Sequence, residues 1–149
     1  MSSWDDHIHS LIATQAVNNA AIIDISTGSI CAISANFNLA THPIQLRDER
    51  EEKHTATVNE IEILNKLVNN KGIVPSPPGI WINNETYHLI RWDDELNIAY
   101  LKNSNGGAAV MKTNKCIIVG TWNKDINKGA GNCNVAISQL GESFLSVDY

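Results

Sequence analysis

Residues 132–149, Asn-Cys-Asn-Val-Ala-Ile-Ser-Gln-Leu-Gly-Glu-Ser-Phe-Leu-Ser-Val-Asp-Tyr, predict a helix that runs to the last residue and ends on an aromatic ring. Chain ends are ordinarily polar and frayed, so Tyr149 needs a surface to rest on. The opposite end repeats the pattern: Ser3 reads as an N-cap, Asp5 and Asp6 suit the first turn, and Trp4, Ile8, Leu11 and Ile12 fall on one helical face. Cys133, Ile137, Leu140 and Phe144 give the last helix a matching stripe. Two such helices laid side by side would bring Trp4 and Tyr149 into one exposed aromatic patch. Aromatic surfaces of that kind dock preformed polyproline II segments.

The residues between the two helices read mostly as strands. Ala20–Ile25 and Ser29–Ala35 form a hairpin around Ser26-Thr27-Gly28. Residues 38–56 lack a sustained apolar face and read as a solvated insertion or a short polar helix. Thr57-Val58-Asn59-Glu60 resembles a capping box before Ile61, Leu64, Leu67 and Val68, which predicts a helix over 57–70. Pro75-Ser76-Pro77-Pro78-Gly79 reads as a stiff connector. Ile80–Ile82, Thr86–Arg91, Leu96–Lys102, Ala108–Lys112 and Cys116–Thr121 then follow as a meander, with Asn105-Gly106-Gly107 as one of its turns. The order predicts one α+β domain over 1–149, built on a central antiparallel sheet with helices on its faces.

Chemistry-bearing patterns are absent. His7 and His9 stand two apart on a helix and point away from each other, and His42, His54 and His88 have no ligand spacing, so no metal site is expected. Cys31, Cys116 and Cys133 are an odd number without a paired spacing, which fits free thiols in a reducing cytosol. No nucleophile, base and orienting group can be nominated, so the chain is expected to carry no catalysis and no cofactor. The N-terminus lacks a signal-peptide pattern and no apolar run reaches membrane-spanning length. The net charge of −5 argues against nucleic acid. Residues 97–149 nonetheless hold five lysines against three acidic side chains, a local basic bias that could meet an acidic partner.

Short segments form an ordered series: Ser3-Trp4-Asp5-Asp6-His7-Ile8 at the start, then Ala20-Ala21-Ile22-Ile23, Gly28-Ser29 and Ser34-Ala35-Asn36-Phe37 in the first hairpin. Gly79-Ile80 through Tyr87-His88-Leu89-Ile90-Arg91, then Gly106-Gly107, Lys112-Thr113 and Cys116–Gly120, follow in the later strands. Gly131-x-Cys133-Asn134 through Leu140-Gly141, Phe144-Leu145 and Tyr149 close the series in the last helix. Taken in order, these segments resemble those of the profilins, small actin-monomer-binding proteins. Residues 38–56 exceed the compact family pattern.

The resemblance implies a profilin-like sheet with the N- and C-terminal helices on one face and a further helix on the other. It also implies two binding faces. A polyproline groove would involve Trp4, His7, Cys31, Ser143, Phe144 and Tyr149. His7, Cys31 and Ser143 stand where relatives often carry rings, so weaker or altered proline binding is expected. An actin face would involve Arg91, Gly131 and Asn134, with Lys102, Lys124 and Lys128 near it by location. Leu101, Asn103 and Val135 stand where relatives place basic contacts, which implies modest actin affinity. The implied partners are monomeric actin and proline-rich proteins such as formins, in the cytoplasm and cytoskeleton. The acidic balance argues against phosphoinositide binding. The competing readings are a polyproline adaptor with weak or lost actin binding, and a small-molecule-sensing domain of similar topology.

Overall fold

The computed structural model describes residues 3–47, 50, 52–127 and 129–149. Helix α1 spans Trp4–Ala13 and is closed by a reciprocal cap, in which Asp6 N–H donates to Ser3 Oγ and Ser3 N–H donates to Asp6 Oδ2, both at 3.2 Å. Strands β1 (Asn19–Asp24) and β2 (Ile30–Ile33) form the expected hairpin. Strands β3 (Thr41–Arg47) and β4 (Lys53–Asn59) precede helix α2 (Glu60–Asn69). Strands β5 (Ile80–Ile82), β6 (Glu85–Asp93), β7 (Ile98–Lys102), β8 (Gly106–Lys112) and β9 (Cys116–Asn123) lead to helix α3 (Ala130–Leu145).

Seven strands form one antiparallel sheet in the order β2-β1-β9-β8-β7-β6-β5. Alternation along the strands feeds two cores. Ala21, Ile23, Ala99, Leu101, Val110, Ile117 and Val119 point toward α2, meeting Ile63, Leu64, Leu67 and Val68. Ala20, Ile22, Ile98, Tyr100, Ala109, Met111 and Ile118 point the other way, meeting Ile8 and Leu11 of α1 and Cys133, Ile137 and Phe144 of α3. The terminal helices therefore share one face and α2 has the other, as expected from the resemblance. Two glycines let α3 come close: a Cβ on Gly120 would overlap Ile137, and one on Gly141 would overlap the Met111 sulfur.

The segment read as a solvated loop or short polar helix is a hairpin instead. Strands β3 and β4 pair from Thr41↔Asn59 to Arg47↔Lys53, with Pro43 opposite Thr57. Ile44 and Val58 are buried in the α2-side core, with Leu46 and Ala56 half-buried beside them. Ile44 and Val58 each contribute about 1.5–3 kcal/mol on burial, which anchors a two-stranded ribbon that is marginal alone. That pairing also corrects the start of α2. Thr57, Val58 and Asn59 are drawn into β4, and Asn59 rather than Thr57 becomes the N-cap, its Oδ1 accepting Glu62 N–H at 3.2 Å.

Further shifts have local causes. Gly106 and Gly107 belong to β8 rather than to a turn, packed against the Trp122 backbone and ring where a Cβ would not fit. Strand β7 begins at Ile98 because Asn97 sits at φ 56°. Helix α1 ends at Ala13, before a left-handed Gln15 at φ 61°. Helix α3 starts two residues before Asn132 and ends at Leu145 rather than at the last residue.

Glu60 ties the hairpin, α2 and the β5–β6 turn together. It is 1% exposed, and its carboxylate accepts Asn83 N–H at 2.6 Å, Asn84 N–H at 2.9 Å and His42 Nε2 at 2.7 Å. A carboxylate accepts only, so Nε2 carries the hydrogen. The His42 ring rests edge-on against Trp81 at 5.3 Å, and its buried Nδ1 has no partner among the described residues.

Candidate functional site

The last four residues explain why Tyr149 is ordered. Asp148 adopts φ 62°, its N–H donates to Leu145 O at 3.1 Å, and Tyr149 N–H donates to Phe144 O at 2.9 Å. These are the two bonds of a Schellman closure with its left-handed residue at Asp148. The apolar contact that accompanies this motif is the Phe144–Tyr149 ring pair, with centroids 6.1 Å apart. The Tyr149 carbonyl is then held from the β8–β9 turn by Lys115 N–H at 2.6 Å and Thr113 Oγ1 at 3.1 Å. Lys115 Nζ lies 5.0 Å from the Tyr149 ring centroid, a cation–π contact the sequence did not single out. Its only sequence signal was a lysine in the tight turn between two apolar strands.

Four rings meet where α1 crosses α3. Trp4 lies 5.2 Å from Tyr149, 5.7 Å from Phe144 and 6.3 Å from His7, while His7 lies 5.1 Å from Phe144. The tilted and edge-on geometries are those that aromatic quadrupoles favour. Trp4, His7 and Tyr149 are half-exposed. Phe144 is buried, so it is the floor under the other rings rather than a contact surface. Cys31 packs half-buried against the core beneath α1 and α3. Ser143 is exposed one residue before Phe144 and makes none of the ring contacts. The expectation that indole and phenol share one accessible patch is met.

Burial, reinforced by Asp24, pushes the Cys31 thiol up, and burial pushes Tyr149 up as well. Burial pushes the thiols of Cys116 and Cys133 up to about 12. Among the described residues no cluster of His, Cys, Asp and Glu could hold a metal ion. One consequence is measurable: in the folded protein Ellman's reagent at pH 8 should modify Cys31 alone, and a proline decamer should slow it. Equal labelling of Cys116 or Cys133 would contradict this account of their burial.

Of the second set, Arg91 and Lys102 share the sheet face that carries α3. Pairing places Arg91 beside Tyr100, and the guanidinium stacks 4.4 Å from that ring's centroid, with Nη1 4.0 Å from Asp93 Oδ2. Lys102 pairs with Gly107, which pairs with Trp122, so it shares the row at the sheet's end. Lys124 is exposed at that end, its N–H donating to Asn105 O at 2.9 Å. Gly131 is exposed and Asn134 half-exposed in the first turns of α3. Lys128 lies outside the described residues. Ile90 adds an exposed apolar side chain beside Arg91.

Comparison with known proteins gives one consistent answer. The family model described as Profilin matches residues 2–149. A profilin of Tetrahymena pyriformis is 29% identical over 157 aligned positions, covering all of both chains. Profilin IA of Acanthamoeba castellanii superposes with a TM-score of 0.74 at 23% identity, over 99% of this chain and 100% of that one. Mouse profilin IIa, solved with a double repeat from the FH1 domain of mDia1, gives 0.66 at 12% identity, over 99% and 100% of the two chains. LokiProfilin1, solved with rabbit actin, gives 0.64 at 13%, over 98% and 99%.

Proposed function

The chain belongs to the profilin family, and from that premise we propose that it binds monomeric actin on one face and proline-rich segments on another. It regulates actin polymerisation by occupying the monomer while a proline tract tethers the complex to a nucleating or elongating protein such as a formin. The observation that carries this reading is the four-ring cluster of Trp4, His7, Phe144 and Tyr149 at the crossing of the terminal helices. A polyproline II helix is preordered, so it loses little entropy on docking against such rings. The FH1 and actin complexes of the two similar profilins support the same pair of ligands. The patch offers Cys31 and Ser143 where further rings would add about 0.5–1.5 kcal/mol each, so proline affinity is on the weak side for the family.

The reading is of a binding protein, acting by occupancy without covalent chemistry, as one domain in which the β3–β4 hairpin is an elaboration. We place it in the cytoplasm with the actin cytoskeleton; among the described residues no helix is long and apolar enough to cross a membrane. Arg91, Lys102, Lys124, Lys128, Gly131 and Asn134 form the proposed actin face, where Arg91 can pair in bidentate fashion with a carboxylate. Arg91 is also engaged by Tyr100 and Asp93, which favours, as second reading, an adaptor whose actin binding is weak.

Retention on polyproline beads and inhibition of spontaneous polymerisation of monomeric actin test the proposal together. Both activities support it. Retention without an effect on actin selects the adaptor, and neither activity overturns both. Arg91→Glu should leave bead retention intact and weaken actin binding roughly ten- to hundredfold, the loss of a charge-assisted contact. An unchanged actin affinity would remove Arg91 from that face.

A further inference from the structure

The end of the sheet away from the β8–β9 turn contains a polar cavity of about 390 Å³, and seven of its lining residues are asparagine. An asparagine amide can donate or accept, so what such a wall recognises depends on which atom faces inward. Here the orientation is fixed from behind. Asn83 Oδ1 accepts Asn38 N–H at 3.0 Å, and Asn123 Oδ1 accepts Asp125 N–H at 2.9 Å. A main-chain N–H only donates, so the side-chain atom it meets must be oxygen. Asn19 Oδ1 accepts the Ser34 hydroxyl at 3.2 Å, and that hydroxyl in turn accepts Ala20 N–H at 3.0 Å. The NH2 groups of Asn19, Asn83 and Asn123 are left without a protein acceptor among the described residues.

The remaining wall completes a specific chemistry. Among the described residues Glu85 supplies the cavity's one charged side chain, with Oε1 accepting Asn105 Nδ2 at 3.2 Å and Oε2 the Tyr87 hydroxyl at 3.5 Å. Trp122 adds an indole. An anion would meet Glu85 with no basic group among the described lining residues to offset it. A cation would meet amide donors instead of acceptors. A neutral compound rich in hydroxyl and ether oxygens satisfies all parts: its oxygens accept from the amides, one hydroxyl donates to Glu85, and its C–H face lies on the indole. We propose that this cavity is a binding site for a mono- or disaccharide, separate from the aromatic patch and bordering the Lys102 and Lys124 end of the proposed actin face. Its volume lies in the range typical of small-molecule sites.

The test is titration of the ¹⁵N-labelled full chain with glucose and with maltose, following the side-chain NH2 signals. Saturable shifts confined to Asn19, Asn83, Asn123 and their neighbours are expected with at least one sugar. Asn123→Asp keeps the oxygen that accepts Asp125 N–H and deletes the donor, so affinity should fall about three- to tenfold or more. Asn19→Asp gives the same result should the first variant unfold. Trp4→Ala should leave sugar binding unchanged, which separates this proposal from the proline-binding reading. Absence of saturable shifts with both sugars would overturn it, as would wild-type affinity in the Asp variants or equal shifts with sodium acetate.

Discussion

Trp4→Ala is expected to abolish retention on polyproline beads while leaving the effect on actin in place. Trp4 is the hub of the aromatic cluster, in contact with His7, Phe144 and Tyr149, and it remains half-exposed. Deleting it removes the largest docking face and also frees Tyr149 from its neighbour. A weak peptide site cannot lose its largest ring and still hold its ligand through washing. The three ring contacts of Trp4 within the chain, at about 0.5–1.5 kcal/mol each, are lost as well, so the variant should also melt a few degrees lower, which differential scanning calorimetry would resolve. Trp4→Phe should recover part of the retention. Full retention by the alanine variant would show that the patch seals the helix pair and binds nothing.

Glu60→Ala should be the most damaging single substitution for stability, at about 3–5 kcal/mol. The carboxylate is buried at the first residue of α2, where the helix dipole favours it. Its removal strands the N–H groups of Asn83 and Asn84 and the Nε2–H of His42 in one place. For a chain of this length the midpoint of thermal unfolding should fall by about 6–20 °C. Glu60→Gln should lose less, since one acceptor oxygen survives. A drop of only a degree or two for the alanine variant would mean that water reaches those donors and satisfies them.

Both terminal helices and most of the sheet were legible because their signals are local. Periodicity put Trp4, Ile8 and Leu11 on one face, and the caps of α1 follow from Ser3 and Asp6. The β3–β4 hairpin was not legible. Its charged stretch, Arg47 through Lys53, hides an alternation that rests on buried Ile44 and Val58 and half-buried Leu46 and Ala56, whose partners lie on α2 and distant strands. The start of α2 failed for a related reason: Thr57 looks like a cap in sequence, but cross-strand pairing with Pro43 claims it first. At the candidate site the aromatic members were visible and the means of holding them were not. The closure of α3 through Asp148 and the hold of Thr113 and Lys115 on Tyr149 depend on a left-handed aspartate and a turn 34 residues upstream. Glu60 was legible as a helix-start residue, but its burial depends on the β5–β6 turn folding over it.

Among the described residues the β3–β4 ribbon pairs with no other strand, so both of its flanks are strand edges. Such flanks are templates on which a second molecule can add strands and begin a fibre. Pro43 offers no amide hydrogen at its position, and the charges of Arg47 and Lys53 resist close approach at the far end. The same ribbon that gives this protein extra surface therefore carries its own safeguard against self-association at high concentration.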